Sequence, residues 1–470
     1  MKKNRRRAQM HVNEGVEAEL FCFDTAVKEP KLHVCPLTGE RLYEIESPCG
    51  ARLFYLHKDV RLSAGVASIP YGGAESHVMS EDGRRIRSLP GIAHFAEHML
   101  FTGKGGRLER FIALGADANA YTSMESTAYC FTAGTDEGTL DGFSELIKMV
   151  TAPDFDEGQT EKEREIILRE LGEDDDVFCE GRKRAVEMLF SRGSSRRDAG
   201  GDVKSVKSIT NEMLRDIYGV AYVPSETVFT LVSGVGLCNA RGVFEINLLG
   251  EKNRGRVKHS YCGNVKRKER SLASFKHRSG TVAFFCAISF DISDIIADGK
   301  KNPHARSYVY TSMLNAMLFD RSEPFFERLV CEAGGIFGEF VSDTEIRGGE
   351  CLMTANLMCE DPVAVARAFE ELLCEMRESE ELFSFEHFES KRRILCADYL
   401  SVLESPTEAA IAISEYAQRG ECFFDTVKII QELDPEDFRA FAKKALADAA
   451  TAYAAATEAA RAEEISENGL

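Results

Sequence analysis

Gly91-Ile92-Ala93-His94-Phe95-Ala96-Glu97-His98-Met99-Leu100 is the stretch on which the rest of this 470-residue sequence turns. Apolar Ile92, Phe95 and Leu100 recur at helical spacing, so the run predicts a helix from Gly91 to Phe101. His94 and His98 are then i and i+4, about one turn apart on one face. That spacing suits two imidazole nitrogens gripping one Zn2+ ion. Glu97 falls at the edge of the same face, where its carboxylate can address a water beside the ion without ligating the ion itself. The order HxxEH is the reverse of the HExxH arrangement of zinc peptidases. Histidine is scarce here, 10 in 470 residues.

A catalytic zinc site needs a third protein ligand and one open position. The segment Glu161-Lys162-Glu163-Arg164-Glu165-Ile166-Ile167-Leu168-Arg169-Glu170-Leu171 reads as a helix that could supply it. Glu163 and Glu170 are seven apart and so lie on nearly one face. Ile167 and Leu171 flank that face, whereas Arg164 and Arg169 do not share it. A carboxylate on an inward-tending stripe costs roughly several kcal/mol unless it is paired or bound to a metal. Taken alone, the same helix could also be a solvated acidic surface.

Outward from these segments, both halves alternate strands and helices. In the first, strands are expected at Leu42–Ile45, Arg52–Leu56, Arg61–Ile69, Ala118–Thr122, Thr127–Thr132 and Thr227–Val235. A polar loop is expected from Ser80 to Ser88. A helix from Arg107 should stop at Gly115, and Leu140–Val150 and the charged run from Glu157 to about Phe190 should be helical. In the second half, Val282–Phe290 and a pair at Ile336–Val341 and Cys351–Leu357 read as strands. Helices are expected over 308–318, 324–331, 362–376, 387–403, 407–419 and 435–446. The fold class is α+β, with two similar domains, each a mostly antiparallel sheet packed with helices. The divisions expected are a leader at 1–40, a first domain at 41–245, a linker at 246–275, a second domain at 276–460 and an acidic tail at 461–470.

Composition narrows the function. Hydrophobic residues at 44% and charged residues at 29% are ordinary globular values. A formal net charge of −19 argues against a nucleic-acid binder. No apolar run is long enough for a membrane span, so no membrane partner is expected. The basic start, Met1-Lys2-Lys3-Asn4-Arg5-Arg6-Arg7, is followed by no apolar stretch of signal-peptide type. The 14 cysteines form no CxxC pair, which fits free thiols in a cytoplasmic setting. No phosphate loop or dinucleotide fingerprint is present. His57, His77 and His277 stand alone and are expected at the surface.

His94–His98, then Gly115-Ala116-Asp117-Ala118-Asn119-Ala120-Tyr121-Thr122, then Glu163–Glu170 together resemble the pitrilysin or insulinase (M16) family of zinc peptidases. Gly200-Gly201-Asp202-Val203-Lys204-Ser205-Val206 extends the likeness, which is specific over about residues 41–240. The half-length bacterial and mitochondrial-processing-peptidase-like members are the most similar in plan. The resemblance implies half of a clamshell chamber. It implies Zn2+ held by His94, His98 and Glu170, with Glu97 as general base and Glu163 as a supporting catalytic carboxylate. It also implies that Asn119, Ala120 and Tyr121 lie on the strand edge where a peptide substrate adds itself. The family's second domain often carries a substrate-binding Arg and Tyr. Aligned on Gly334, those positions fall on Val330 and Phe337, with Arg328 nearby. The expectation is therefore a zinc metalloendopeptidase for short or unfolded peptides, acting as the catalytic subunit of a heterodimer. Its partner would be a second M16-like chain bearing the Arg/Tyr pair. The alternatives are an inactive core subunit of such a complex and a processing peptidase dedicated to one precursor.

Overall fold

The computed structural model describes residues 29–102, 106–152, 156–173, 176–266, 272–296, 301–378 and 384–458. The basic N-terminal run and the acidic tail lie outside these residues. In the first half a seven-stranded sheet has the spatial order Lys31–Val34, Arg41–Glu46, Arg52–His57, Val228–Ser233, Ser63–Ile69, Thr127–Ala133 and Ala116–Thr122. All neighbours are antiparallel except Arg52–His57 with Val228–Ser233. The second sheet runs Leu272–Phe275, Ala450–Ala456, Ala283–Asp291, Glu350–Met358 and Val341–Arg347. It too has one parallel pair, Leu272–Phe275 with Ala450–Ala456. Its five strands follow the same order and directions as the last five of the first sheet. The two halves thus share a topology that the sequence only hints at.

Each sheet buries both faces. One face of the first sheet packs on its own helices, through Phe95, Met99, Phe143, Leu146, Ile167 and Phe244. The other is covered by a helix from the second half, Pro406–Gln418, through Ala409, Ala410, Ile413 and Ala417 against Phe54, Val66 and Val232. The exchange is reciprocal. Helix Val177–Leu189 of the first half lies on the second sheet, with Ala185 and Val186 against Phe285, Ala452 and Ala454. A Cβ at Gly181 would sit 2.3 Å from the Phe285 ring, so this helix approaches more closely than a larger residue permits.

Several expectations are corrected here. The leader is not irregular to residue 40, because Lys31–Val34 pairs with Arg41–Glu46. The charged run is two helices, Thr160–Glu173 and Val177–Leu189. The second starts where the Asp176 side chain accepts the Phe178 N–H, an N-cap that local charge concealed. The polar loop contains strand Arg85–Arg87, and the linker contains strand Lys258–Tyr261; both pair with Glu75–Met79. The second-half hairpin is Val341–Arg347 with Glu350–Met358, while Ile336 makes an isolated bridge to Cys359. Its outer strand is polar because it is an edge. Helices Leu237–Asn247 and Phe423–Gln431 and strand Ala450–Ala456 were not foreseen. His277 is buried, with its Nδ1 2.8 Å from Ser279 Oγ.

Candidate metal centre

Helix Ile92–Thr102 carries His94, Glu97 and His98, with Ile92, Phe95, Ala96 and Met99 turned into the core. Its start is fixed by a close approach of two backbones. Gly91 has φ +79° and a Cβ there would lie 2.4 Å from Gly200 O. Gly201 has φ +83° and a Cβ there would lie 2.6 Å from Gly91 N. Only glycine meets both the left-handed conformation and the contact at these positions.

Helix Thr160–Glu173 brings Glu163 and Glu170 alongside. Arg164 fastens it: its guanidinium lies 5.2 Å from the centre of the Phe95 ring. It also donates to the backbone oxygen of Ile209 at 2.8 Å, and to that of Val206. Ile167 is buried beneath the histidine helix. A helical run rich in charge is thus held with one edge inward.

The five side chains meet as follows. Glu170 Oε2 lies 3.4 Å from His98 Nε2 and 3.8 Å from His94 Nε2. The two imidazole rings stand edge to face, 4.7 Å apart. Glu163 Oε2 lies 3.2 Å from His98 Nδ1, the ring nitrogen that faces away from Glu170. Glu163 is buried, whereas the Glu170 side chain is 45% exposed, so the cluster opens towards solvent on one side. Glu97 is buried and accepts a hydrogen bond from the Thr122 hydroxyl at 2.7 Å.

Electrostatics set the protonation states. Burial, followed by the like charge of His98, holds the His94 imidazole down to about 4. His94 is therefore neutral near pH 7, as a nitrogen ligand must be. Burial pushes the Glu97 carboxyl above its ordinary value; the Thr122 hydrogen bond and His98 oppose this, and Glu170 adds to it.

These residues fit a zinc ion. Zinc takes nitrogen and carboxylate oxygen at roughly 2.0–2.2 Å, which places neighbouring donors about 3.3–3.6 Å apart in a tetrahedron. The donor atoms of His94, His98 and Glu170 all lie within 4.8 Å of one another, and among the described residues they are the group able to hold a metal.

Asn119, Ala120 and Tyr121 lie on Ala116–Thr122, the outer strand of the sheet. The Ala120 N–H donates to Asn119 Oδ1 at 2.9 Å, so it is turned away from the neighbouring strand. Tyr121 packs on the opposite face, towards the helix Pro406–Gln418 cluster. Thr122, at the inner end of the strand, was not singled out from sequence. The alternation of side chains along a strand would have marked it as facing the histidine helix, once the register was known. Val330 and Phe337 are both exposed. Arg328 is engaged by Glu375 at 2.6 Å and Glu332 at 3.3 Å.

Comparison with known proteins agrees with this plan. Residues 86–196 match the profile of insulinase (peptidase family M16). The chain is 26% identical over 412 residues to the uncharacterized zinc protease YmfH of Bacillus subtilis, covering 85% of this chain and 92% of that one. It is 33% identical over 132 residues to the mitochondrial-processing peptidase subunit beta of Saccharomyces cerevisiae, covering 27% of this chain and 28% of that one. A crystal structure of a putative M16-like peptidase from Alicyclobacillus acidocaldarius superposes with a TM-score of 0.79 at 18% identity. It is covered completely by 90% of this chain. The fold is that of one half of a clamshell peptidase. The chain is similar to the M16 (insulinase) family over residues 86–196, and in length and fold to its half-length members.

Proposed function

We propose that this chain is a zinc-dependent metalloendopeptidase that hydrolyses short or unfolded peptides. The reading rests on one observation: two imidazoles and a carboxylate from a separate helix converge within 4.8 Å, with a buried carboxylate beside them. When bound, zinc supplies a Lewis acid that polarises a carbonyl and acidifies a water. His94, His98 and Glu170 would hold the ion. Glu163 fixes the His98 ring by occupying its Nδ1, which leaves Nε2 for the ion. Glu97 takes a proton from the attacking water at its carboxylate and delivers it to the leaving amine, so that one peptide and one water become an acid and an amine.

The outer strand Ala116–Thr122 is where a substrate would lie, adding to the sheet through main-chain hydrogen bonds that are indifferent to side chains. Ala120, whose N–H faces away from the neighbouring strand, would supply them, flanked by Asn119 and Tyr121. With Val330 and Phe337 at the positions of the family's Arg and Tyr, the chain fits a catalytic subunit whose similar-sized partner brings that pair.

The test is zinc stoichiometry with chelator-reversible cleavage of a peptide panel, run with and without a candidate partner chain. Glu97→Gln should keep zinc and abolish cleavage. His94→Ala should lose zinc. Normal turnover by Glu97→Gln refutes the assignment of the base, and full activity of the isolated monomer refutes the heterodimer.

A further inference from the structure

Thr122 stands at a junction that the metal cluster does not explain. It is the last residue of the outer strand, and it pairs with Thr127 on the strand's inner side. Its neighbours Ala118 and Ala120 on the same face pack against the core beneath the histidine helix. From there its hydroxyl reaches Glu97 Oε2 at 2.7 Å. Among the described residues it is the hydrogen-bond donor to that carboxylate. Glu97 is buried, and this bond orients its carboxylate.

A carboxylate has two oxygens. With Oε2 held by Thr122, Oε1 is left for a proton in flight. Thr122 also belongs to the strand that a peptide would extend. Pairing of a substrate with residues 119–121 stiffens the segment from which the Glu97 donor projects.

We propose that Thr122 is a positioning residue that aims Glu97 and ties that aim to substrate pairing on the outer strand. The inference rests on the peptidase reading above and names a residue which that reading does not need. Thr122 touches the base and not the reacting atoms. Its loss therefore affects the rate of the bound complex and leaves substrate binding and metal content intact.

Three variants of the full zinc-loaded chain, assayed with any partner it requires, decide the matter. Thr122→Val keeps the β-branched shape suited to a strand and removes only the hydroxyl. It should lower kcat by roughly tenfold to a hundredfold, with KM and zinc content unchanged. Thr122→Ser restores a donor and should recover most of the rate. In a Glu97→Gln background, Thr122→Val should leave the Kd for a fluorescent peptide as it was. The proposal is overturned by a kcat for Thr122→Val within twofold of the parent, by a serine variant as slow as the valine one, or by a loss that appears in KM or in zinc. Absence of chelator-sensitive cleavage in the parent chain overturns the peptidase reading and this inference with it. Cleavage in the parent that Thr122→Val leaves unaltered overturns this inference alone.

Discussion

Glu163 lies 3.2 Å from Nδ1 of the same His98 ring whose Nε2 lies 3.4 Å from Glu170. One acidic residue is therefore placed to set the tautomer of a proposed ligand while another, seven residues on, stands among the proposed ligands. A carboxylate behind a metal-binding imidazole typically contributes tenfold to a hundredfold in affinity. Glu163→Ala should weaken zinc binding by about that factor in a chelator competition, with the ion still bound at saturating zinc. Unchanged affinity would leave Glu163 as a buried acid without a part in the centre.

The backbone approach of Gly201 to Gly91 gives a second expectation. Ala at 201 would strain a residue at φ +83° and drive its Cβ to within 2.6 Å of Gly91 N, displacing the start of the histidine helix. A cost of roughly 1–3 kcal/mol or more follows from strain of this kind. Gly201→Ala should lower the unfolding midpoint and reduce zinc occupancy together. Gly172→Ala, at a helical glycine with open space around its Cβ, is the control and should do neither.

How much of this could be read in advance depends on which interactions are local. His94, Glu97 and His98 were legible because helical periodicity alone puts them on one side, and Ile92, Phe95 and Leu100 fix which side is buried. Glu163 and Glu170 were legible as a pair, but nothing in their own helix says which carboxylate meets which ring. That follows from Arg164 and its contacts with Phe95, Val206 and Ile209. Thr122 was not legible, since its direction depends on strand register. The exchange of helices Val177–Leu189 and Pro406–Gln418 between the two sheets was hidden for a similar reason: an apolar stripe does not name what it will cover. Ala450–Ala456 is a strand against the intrinsic preference of alanine, because it lies between two other strands, Leu272–Phe275 and Ala283–Asp291, and small side chains let helix Val177–Leu189 close over it.

His33 and Glu44 join the first two strands, with His33 Nε2 2.9 Å from Glu44 Oε2. A side-chain hydrogen bond to Cys422, and then the one to Glu44, raise the His33 imidazole to about 9. The bond to His33 is the leading cause that lowers Glu44 to about 2. A raised histidine stabilises the fold fully below its unfolded value of about 6.5 and loses that contribution as pH climbs towards 9. A lowered glutamate stabilises fully above about 4.5 and loses its contribution as pH falls towards 2. Both are therefore present between about pH 4.5 and 6.5. Thermal unfolding across pH should show His33→Ala losing most relative to the parent inside that window, and converging on it above pH 9. A constant offset at every pH would mean that the His33 side chain acts by packing alone.

Glu125 occupies the turn three residues beyond Thr122 and faces cations from two places in the second half. Arg347, at the end of that half's outer strand, lies 3.7 Å away, and Arg419, just past helix Pro406–Gln418, donates to the other carboxylate oxygen. Arg347 is further held by Glu345 at 2.8 Å and donates to Ser194 Oγ at 2.9 Å. One carboxylate thus links the end of the first sheet's outer strand to the corresponding strand of the second sheet. Its removal would leave the Arg347 guanidinium, 11% exposed, with one acidic partner fewer in a poorly solvated place. Breaking such a pair by deleting one side commonly costs more than the pair contributes, because the remaining charge keeps its desolvation penalty. Glu125→Ala should therefore lower stability by roughly 1–3 kcal/mol. Arg347→Met, which removes the stranded charge as well, should recover part of that loss in the double variant. Denaturant unfolding of the two single variants and the double variant measures this coupling directly. If the two losses simply add, Glu125 and Arg347 are independent surface charges and the link between the halves lies in the exchanged helices alone.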